Sequence, residues 1–314
     1  MNDDNQVLYK DHEETTDESN VVFCENLVKI YKTKDTEVVA LQGLDLEIKY
    51  GEMMALIGNS GSGKSTLLNM IGGLDRPSAG KLNVAGYDLL RIKKNQLLDY
   101  KKSVVGFVWQ NNARNLIPYL TAKQNVEVPM ILAGRKDTKK RAVELLRIVG
   151  LEDRMRNKLS QLSGGEQQRV AIAISMANEP KILLADEPTG AVDTSTATQI
   201  FKALRKLNQE MGVTIIIVTH DRGVSKNVDR VVAISDGRTS SEYIRKINYN
   251  AEIMELDRMS GVEEGETHEE LVVIDRHGRL KVPEEYMNIV GLEKNSKIKM
   301  EIENDKILLY KQKD

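Results

Sequence analysis

The chain is poor in cysteine and in long apolar runs, and each shortage excludes something. Cys24 is the one cysteine. No intrachain disulfide can form, which fits a reducing compartment. The longest apolar runs, such as residues 213–218, are strand-sized. They fall far short of the roughly 20 residues a spanning helix needs, so any membrane part is expected on another chain. The first residues, MNDDNQ, carry neither the basic patch nor the apolar centre of a signal peptide, and no leader is expected. An excess of charge of one sign is also missing: 45 Lys and Arg stand against 47 Asp and Glu. That balance gives no overall electrostatic reason to bind nucleic acid or an anionic membrane.

What is present suggests one large α/β domain and a small second one, for which 314 residues suffice. Residues 1–20 are acidic and polar and predict a tail that cannot fold alone. Three nearly continuous apolar runs, Met53–Ile57, 181–185 and 213–219, read as parallel strands covered on both faces. Helical patterns lie between them. Ala142, Leu145, Leu146 and Val149 share one helix face, and Gly150 stops that helix. Thr121 and Gln124 form a capping box that opens another. Such alternation implies a parallel sheet.

The pattern changes after about residue 238. Residues 246–269 read as an acidic linker with one short helix. From 270 to 314 a small β-rich unit is expected: a strand at LVVID, a short helix begun by Pro283 and closed by Gly291, and a hairpin of 296–302 with 306–310 through Asn304-Asp305.

Residues 58–65, GNSGSGKS, fill every position of the phosphate-loop pattern. They follow a predicted strand and precede a helical run. Gly58, Gly61 and Gly63 let the backbone curl, so that the N–H groups of Asn59, Ser60, Ser62 and their neighbours point inward at phosphate. Lys64 is placed to neutralise β- and γ-phosphates. The Ser65 hydroxyl is placed for Mg²⁺, with Thr66 next on the helix. Residues 182–187, ILLADE, supply the other half: an apolar strand ending in Asp186, for the magnesium, and Glu187, able to polarise an attacking water. The cofactors implied are ATP and Mg²⁺.

Between these halves stands LSGGEQQR, residues 162–169. It resembles the signature of the ABC ATPases, a helix start where Ser163, Gly164, Gly165 and Glu166 form a second anion site. In that family the signature binds the γ-phosphate held by the other subunit. The resemblance covers roughly residues 21–242 of an ATPase domain expected over 21–245, and it implies roles for further positions. Tyr31 matches the aromatic that stacks on adenine. Gln110, in GFVWQ, matches the loop glutamine that senses Mg²⁺ and γ-phosphate and faces the membrane partner. Asp193, in AVD, matches a loop that touches the opposing subunit. His220, in IVTHD, matches the switch histidine. It also ends the strand expected beside the catalytic one, which lifts it above the usual core or surface histidine.

VGFVWQ, NLIPYLTAKQNV and LLADEPTGAVD resemble the macrolide-exporter and lipoprotein-release group, MacB-like and LolD-like. The chain departs from the family pattern at Ile174, where arginine is usual, at Trp109, where phenylalanine is common, and over residues 111–115. None of these touches an expected catalytic group. The resemblance implies a homodimer, cytoplasmic, held on the inner face of the membrane by a permease contacted near residues 110–119. Export or extraction is the expected direction.

VVIDRHGRLKVPEEYMNIVGLEKNSKIKMEIENDKILLYK resembles an AbrB/SpoVT swapped-hairpin domain. In that family two chains interlock, and many members bind DNA. From residue 270 onward nine acids balance nine bases. Arg276, Arg279 and Lys281 cluster, but Glu284 and Glu285 follow at once. A dimerisation clamp is therefore expected over DNA binding.

Two other classes fit less well. Chromosome-structuring ATPases insert long coiled coils between phosphate loop and signature, whereas here the gap is about a hundred residues. Translation-type relatives carry two ATPase units per chain. A DNA-binding regulator remains as the alternative that rests on the C-terminal unit alone.

Overall fold

The computed structural model describes residues 19–32, 36–110, 116–190, 192–245, 268–274, 278–280, 282, 284–292, 298–303 and 306–311. The acidic tail before residue 19, the tract 111–115, Ala191, nearly all of the linker, Lys281, Pro283 and the turn at 304–305 lie outside the described residues.

Two sheets stack. The smaller pairs β1 (Asn20–Lys32) with β2 (Glu37–Lys49) on one side and β4 (Ala79–Val84) on the other, with β5 (Tyr87–Asp88) beyond β4. The larger is built on β3 (Met53–Ile57). Beside β3 run β8 (Thr214–Val218), then β7 (Ile182–Asp186) and β6 (Val105–Val108), all parallel. On its other side lies β9 (Arg230–Ser235), also parallel. Two antiparallel strands close that edge, β10 (Arg238–Arg245) and β11 (His268–Val272). The expected central strands are present: β3 with the expected bounds, β8 shorter by one residue at each end, and β7 one residue later, so that Asp186 belongs to β7 itself.

The continuous apolar runs follow from this layering. Successive side chains of a strand point to opposite faces. Met53, Ala55, Leu183, Ala185, Ile215 and Ile217 join the core that includes α3 (Ala122–Leu132), α4 (Thr138–Ile148), α5 (Gly164–Ser175) and α6 (Thr194–Met211). Met54, Leu56, Ile182, Leu184, Ile216 and Val218 join the opposite core, with the small sheet, α1 (Lys64–Ile71) and Tyr100 of α2 (Lys94–Ser103). With both faces covered, alternation of polar and apolar residues cannot appear in the sequence. The box opening α3 is present, Thr121 accepting from the Gln124 N–H. Gly150 follows α4 at φ 71°.

The C-terminal region holds α7 (Glu284–Ile289) and the hairpin of β12 (Ile298–Glu303) with β13 (Lys306–Lys311). Its first strand begins earlier than LVVID suggests, at His268, and is hydrogen-bonded to β10. The physical reason is the open edge of β10, whose N–H and C=O groups β11 satisfies. Among the described residues beyond 267, Leu292 is the one buried apolar side chain.

Candidate active site

The phosphate loop runs from the end of β3 to the start of α1. Gly63 is the N-cap of α1 at φ 104°. A Cβ there would lie 2.7 Å from the Ala40 carbonyl oxygen and from Leu41 Cδ2. At Gly58 it would lie 2.2 Å from the Ile234 carbonyl oxygen. The loop is thus wedged between β2 and β9, and glycine is the residue that fits. Lys64 is buried. Its ammonium donates to the Gly58 carbonyl at 2.7 Å, the Asn59 carbonyl at 2.9 Å and Ser62 Oγ at 3.4 Å. Burial lowers its pKa, opposed by the charges of Glu187 and Asp186.

A cleft of about 400 Å³ opens over this loop. It is lined by Ser60, Gly61, Ser62, Gly63, Lys64, Ser65, Thr66, Gln110, Asp186, Glu187, His220, Val38, Val39, Ala40 and Val218. The structure therefore gathers the expected lysine, hydroxyls, carboxylates, glutamine and histidine from four separate places in the chain.

The carboxylates differ in their surroundings. Burial pushes the Asp186 carboxyl up, the charge of Glu187 adds to this, and Lys64 opposes it. Glu187 stands one residue past β7 with φ 46°, a left-handed backbone that a glutamate rarely adopts. Its N–H donates to the Val218 carbonyl at 2.9 Å. Its Oε2 accepts from Thr219 Oγ1 at 3.1 Å, and its Oε1 accepts from the His220 N–H at 3.0 Å. His220 Nδ1 lies 2.8 Å from the same Oε1, and the histidine side chain is three-quarters exposed. One carboxylate is thus held by two donors from the adjacent strand end, with the exposed histidine ring against it.

No group of three His, Cys, Asp or Glu able to cage a metal occurs among the described residues. The hydroxyl of Ser65, the amide of Gln110 and Asp186 suit instead a hard cation that shares its shell with phosphate oxygens and water. Two neighbouring carboxylates facing a single lysine leave the negative charge such an ion neutralises.

The signature residues lie elsewhere. Ser163 is the N-cap of α5: its N–H donates to Glu166 Oε2 at 2.8 Å, and its Oγ accepts from the Glu166 N–H at 3.2 Å. The Ser163 N–H holds the Glu166 carboxyl below its ordinary value, and Arg154 at 3.2 Å adds to this. Asp193 caps α6 and accepts from Thr196 through backbone and side chain at 3.0 and 2.7 Å. Gly165 packs against that threonine; a Cβ there would lie 2.1 Å from Thr196 Cγ2. Nothing lies within 4 Å of the Cβ position of Gly164. None of Ser163, Gly164, Gly165, Glu166 and Asp193 lines the cleft.

Tyr31 stands beside the cleft, cross-strand from Val38. Thr196, and the apolar wall of Val38, Val39 and Ala40, are neighbours that sequence reasoning missed. A D-x-x-T spacing could have marked Thr196 as a capping partner. For the wall the signal is non-local, because only the β1–β2 register brings it to the loop. Of the departures, Trp109 stacks on Phe107 with ring centroids 3.9 Å apart, and Ile174 packs on the core.

Residues 41–190 match the family described as ABC transporter. A lipoprotein-releasing system ATP-binding protein, LolD, from Legionella pneumophila is 41% identical over 219 residues, which are 69% of this chain and 96% of that protein. A macrolide export ATP-binding/permease protein, MacB, from Rhodopirellula baltica is 44% identical over 220 residues, 69% of this chain but 32% of that longer protein. A solved dimeric structure of an ATP-binding cassette, in a post-hydrolysis state with ADP and Pi, is 43% identical with a TM-score of 0.63, covering 70% of this chain and 97% of its own. The DNA-binding alternative finds no support among these relatives. Matched over nearly the whole of LolD, with the phosphate cleft assembled, the chain belongs to the ABC transporter family as an ATP-binding subunit that hydrolyses ATP.

Proposed function

We propose that the chain works as a homodimer on the cytoplasmic face of a membrane, driving a separate permease in export or in extraction of a membrane-held substrate. One observation carries the dimer: the cleft holds lysine, carboxylates and histidine but none of the signature residues. A signature from a second copy completes it. Likeness to LolD and MacB supports the direction. Among the described residues no helix is long and apolar enough to cross a membrane, which agrees with a separate permease meeting the chain near residues 110–119.

In this reading ATP lies with its base against Tyr31 and its phosphates in the loop of Gly58 to Thr66. Lys64 neutralises the β- and γ-phosphates. Glu187, pinned by Thr219 and His220, orients the water and accepts its proton. His220 and the partner's signature backbone stabilise charge on the γ-phosphoryl oxygens. Ser65, Gln110 and Asp186 would hold Mg²⁺, which supplies further charge neutralisation. Asp193 meets the opposing subunit.

The C-terminal unit is assigned to an AbrB-like swapped-hairpin dimer. Exposed apolar side chains support this: Ile302 is 84% exposed, Ile289 79% and Met300 62%. Such a surface calls for a cover. The balanced charge of the unit favours a second copy over DNA.

Co-purification of tagged Glu187→Gln protein from its native membranes with ATP tests the main reading. A polytopic permease in stoichiometric amount is expected; soluble dimer alone, or DNA in its place, would overturn it.

A further inference from the structure

Beside the cleft, where Tyr31 lies cross-strand from Val38 of its wall, three charged or polar side chains converge. Lys29 and Tyr31, two apart on β1, present the same face. Asp75 follows α1, where the N–H groups of Leu74 and Asp75 both donate to the Asn69 carbonyl, at 2.8 and 3.3 Å. Asp75 Oδ2 accepts from the Tyr31 hydroxyl at 2.8 Å. Its Oδ1 accepts from Lys29 Nζ at 2.6 Å and from the Arg76 N–H at 2.7 Å. Lys29 also donates to the Arg76 carbonyl at 2.9 Å. The same ammonium sits 4.7 Å from the centroid of the Tyr31 ring.

The arrangement fixes the ring twice. Its hydroxyl is held by a carboxylate, and one side is occupied by a cation that the same carboxylate holds. Lys29 is buried, yet Tyr31 stays 39% exposed, so the ring keeps surface on which to stack. Burial works to raise the Asp75 carboxyl, but the hydrogen bonds from Lys29, Tyr31 and Arg76 outweigh it, so it is charged at neutral pH. The anchor is also tied to the phosphate site. Asp75 is bonded to the C-terminal end of α1, and the N-terminal end of α1 is the phosphate loop. One short helix therefore sets the distance between ring and phosphates.

We propose that Asp75 is a positioning residue for the nucleobase, holding Tyr31 and Lys29 in the arrangement that stacks on ATP and fixing it relative to the phosphate loop. The proposal rests on the reading of Tyr31 as the base-stacking residue. A tyrosine free to rotate loses that freedom when a base binds, and the loss subtracts from affinity; an anchored ring has already lost it.

A test uses the full chain and two probes, ATP and inorganic tripolyphosphate, which has phosphates but no base. In Asp75→Asn, ATP binding is expected to weaken about fivefold to tenfold, and KM to rise in step while kcat stays within about twofold. Tripolyphosphate binding is expected to be unchanged. Tyr31→Phe, which keeps the ring but removes the hydroxyl that meets Asp75 and Thr66, should show a smaller ATP loss than Tyr31→Ala. In a Tyr31→Ala background, Asp75→Asn should add nothing for ATP. Equal weakening of ATP and tripolyphosphate would mark Asp75 as merely structural and overturn the proposal. So would ATP affinity unchanged in Asp75→Asn while Tyr31→Ala binds weakly. Tyr31→Ala with undiminished ATP affinity would instead refute the base-stacking reading beneath it.

Discussion

The ATPase domain and the C-terminal unit are incomplete in opposite ways. In the first, every residue of β3 and β8 is buried and two cores are filled from one chain. What it lacks is at the site, where the cleft and the signature lie on different surfaces. In the second, a hairpin and a short helix are formed, but Ile302, Ile307, Met300 and Ile289 are left exposed and Leu292 alone is buried among the described apolar side chains. Its core is what is missing. In the reading proposed above, a second copy would answer both shortages, one by completing chemistry and one by covering apolar surface. The two regions should then respond to mutation in different currencies: turnover for the first, association without ATP for the second.

The largest effect is expected at Glu187. Glu187→Gln keeps the hydrogen-bonding shape but cannot take a proton. Turnover should fall about a thousandfold, thermal stability should hardly change, and a dimer should accumulate with ATP in light scattering. Wild-type turnover would remove Glu187 from its role. Next comes the hairpin. Ile302→Lys leaves the ATPase cores untouched, so the melting temperature of that domain should hold, while the ATP-free dimer should weaken about tenfold or more. An unchanged mass at low concentration would show that the hairpin is not the clamp. Were both variants to lose turnover and dimer alike, the division of labour itself would fall.

How much of this was legible in the sequence follows the same division. The phosphate loop, Asp186 and Glu187 are local motifs on strands buried on both faces, and such stretches carry their structure and chemistry together. The cap at Thr121 and the stop at Gly150 were equally local. The apolar wall of Val38, Val39 and Ala40 was not legible, because it depends on a hairpin register rather than on residue type. Nor was the pairing of β11 with β10: the sequence marks a strand near LVVID, but which edge it joins is decided by the unsatisfied backbone of β10 and not by the residue types of LVVID. Thr196 was invisible as a neighbour of the signature because α5 and α6 meet only in three dimensions.

A third, smaller effect separates two adjacent glycines. Gly165→Ala drives a methyl into Thr196, whose hydroxyl holds Asp193. It should cost about 2 kcal/mol by chemical denaturation. Gly164→Ala meets nothing within 4 Å and should stay within about 0.5 kcal/mol, yet lower turnover, since that open face is where a partner's phosphate would approach. Equal stability losses would mean that Gly164 is closed within one chain, and the site would not need a second.

The smallest effect tests the site's cost to its own domain. Burial first, and then the charge of Glu187, raise the Asp186 carboxyl above the ordinary carboxylate value. As pH rises past the ordinary carboxylate value, the unfolded chain releases this proton while the folded one retains it. Stability therefore falls with pH until the folded carboxyl has also ionised, and at neutral pH the ATP-free protein carries the full penalty. Asp186→Asn removes it. The ATP-free variant should melt about 2 °C higher than wild type at pH 7.5, and the gap should narrow as pH approaches 4. Saturating MgATP should reverse the order, because wild type gains binding energy that the variant has lost. A variant that melts lower at pH 7.5 without nucleotide would show that Asp186 stabilises the strand end, and that this corner of the domain is complete without its ligand.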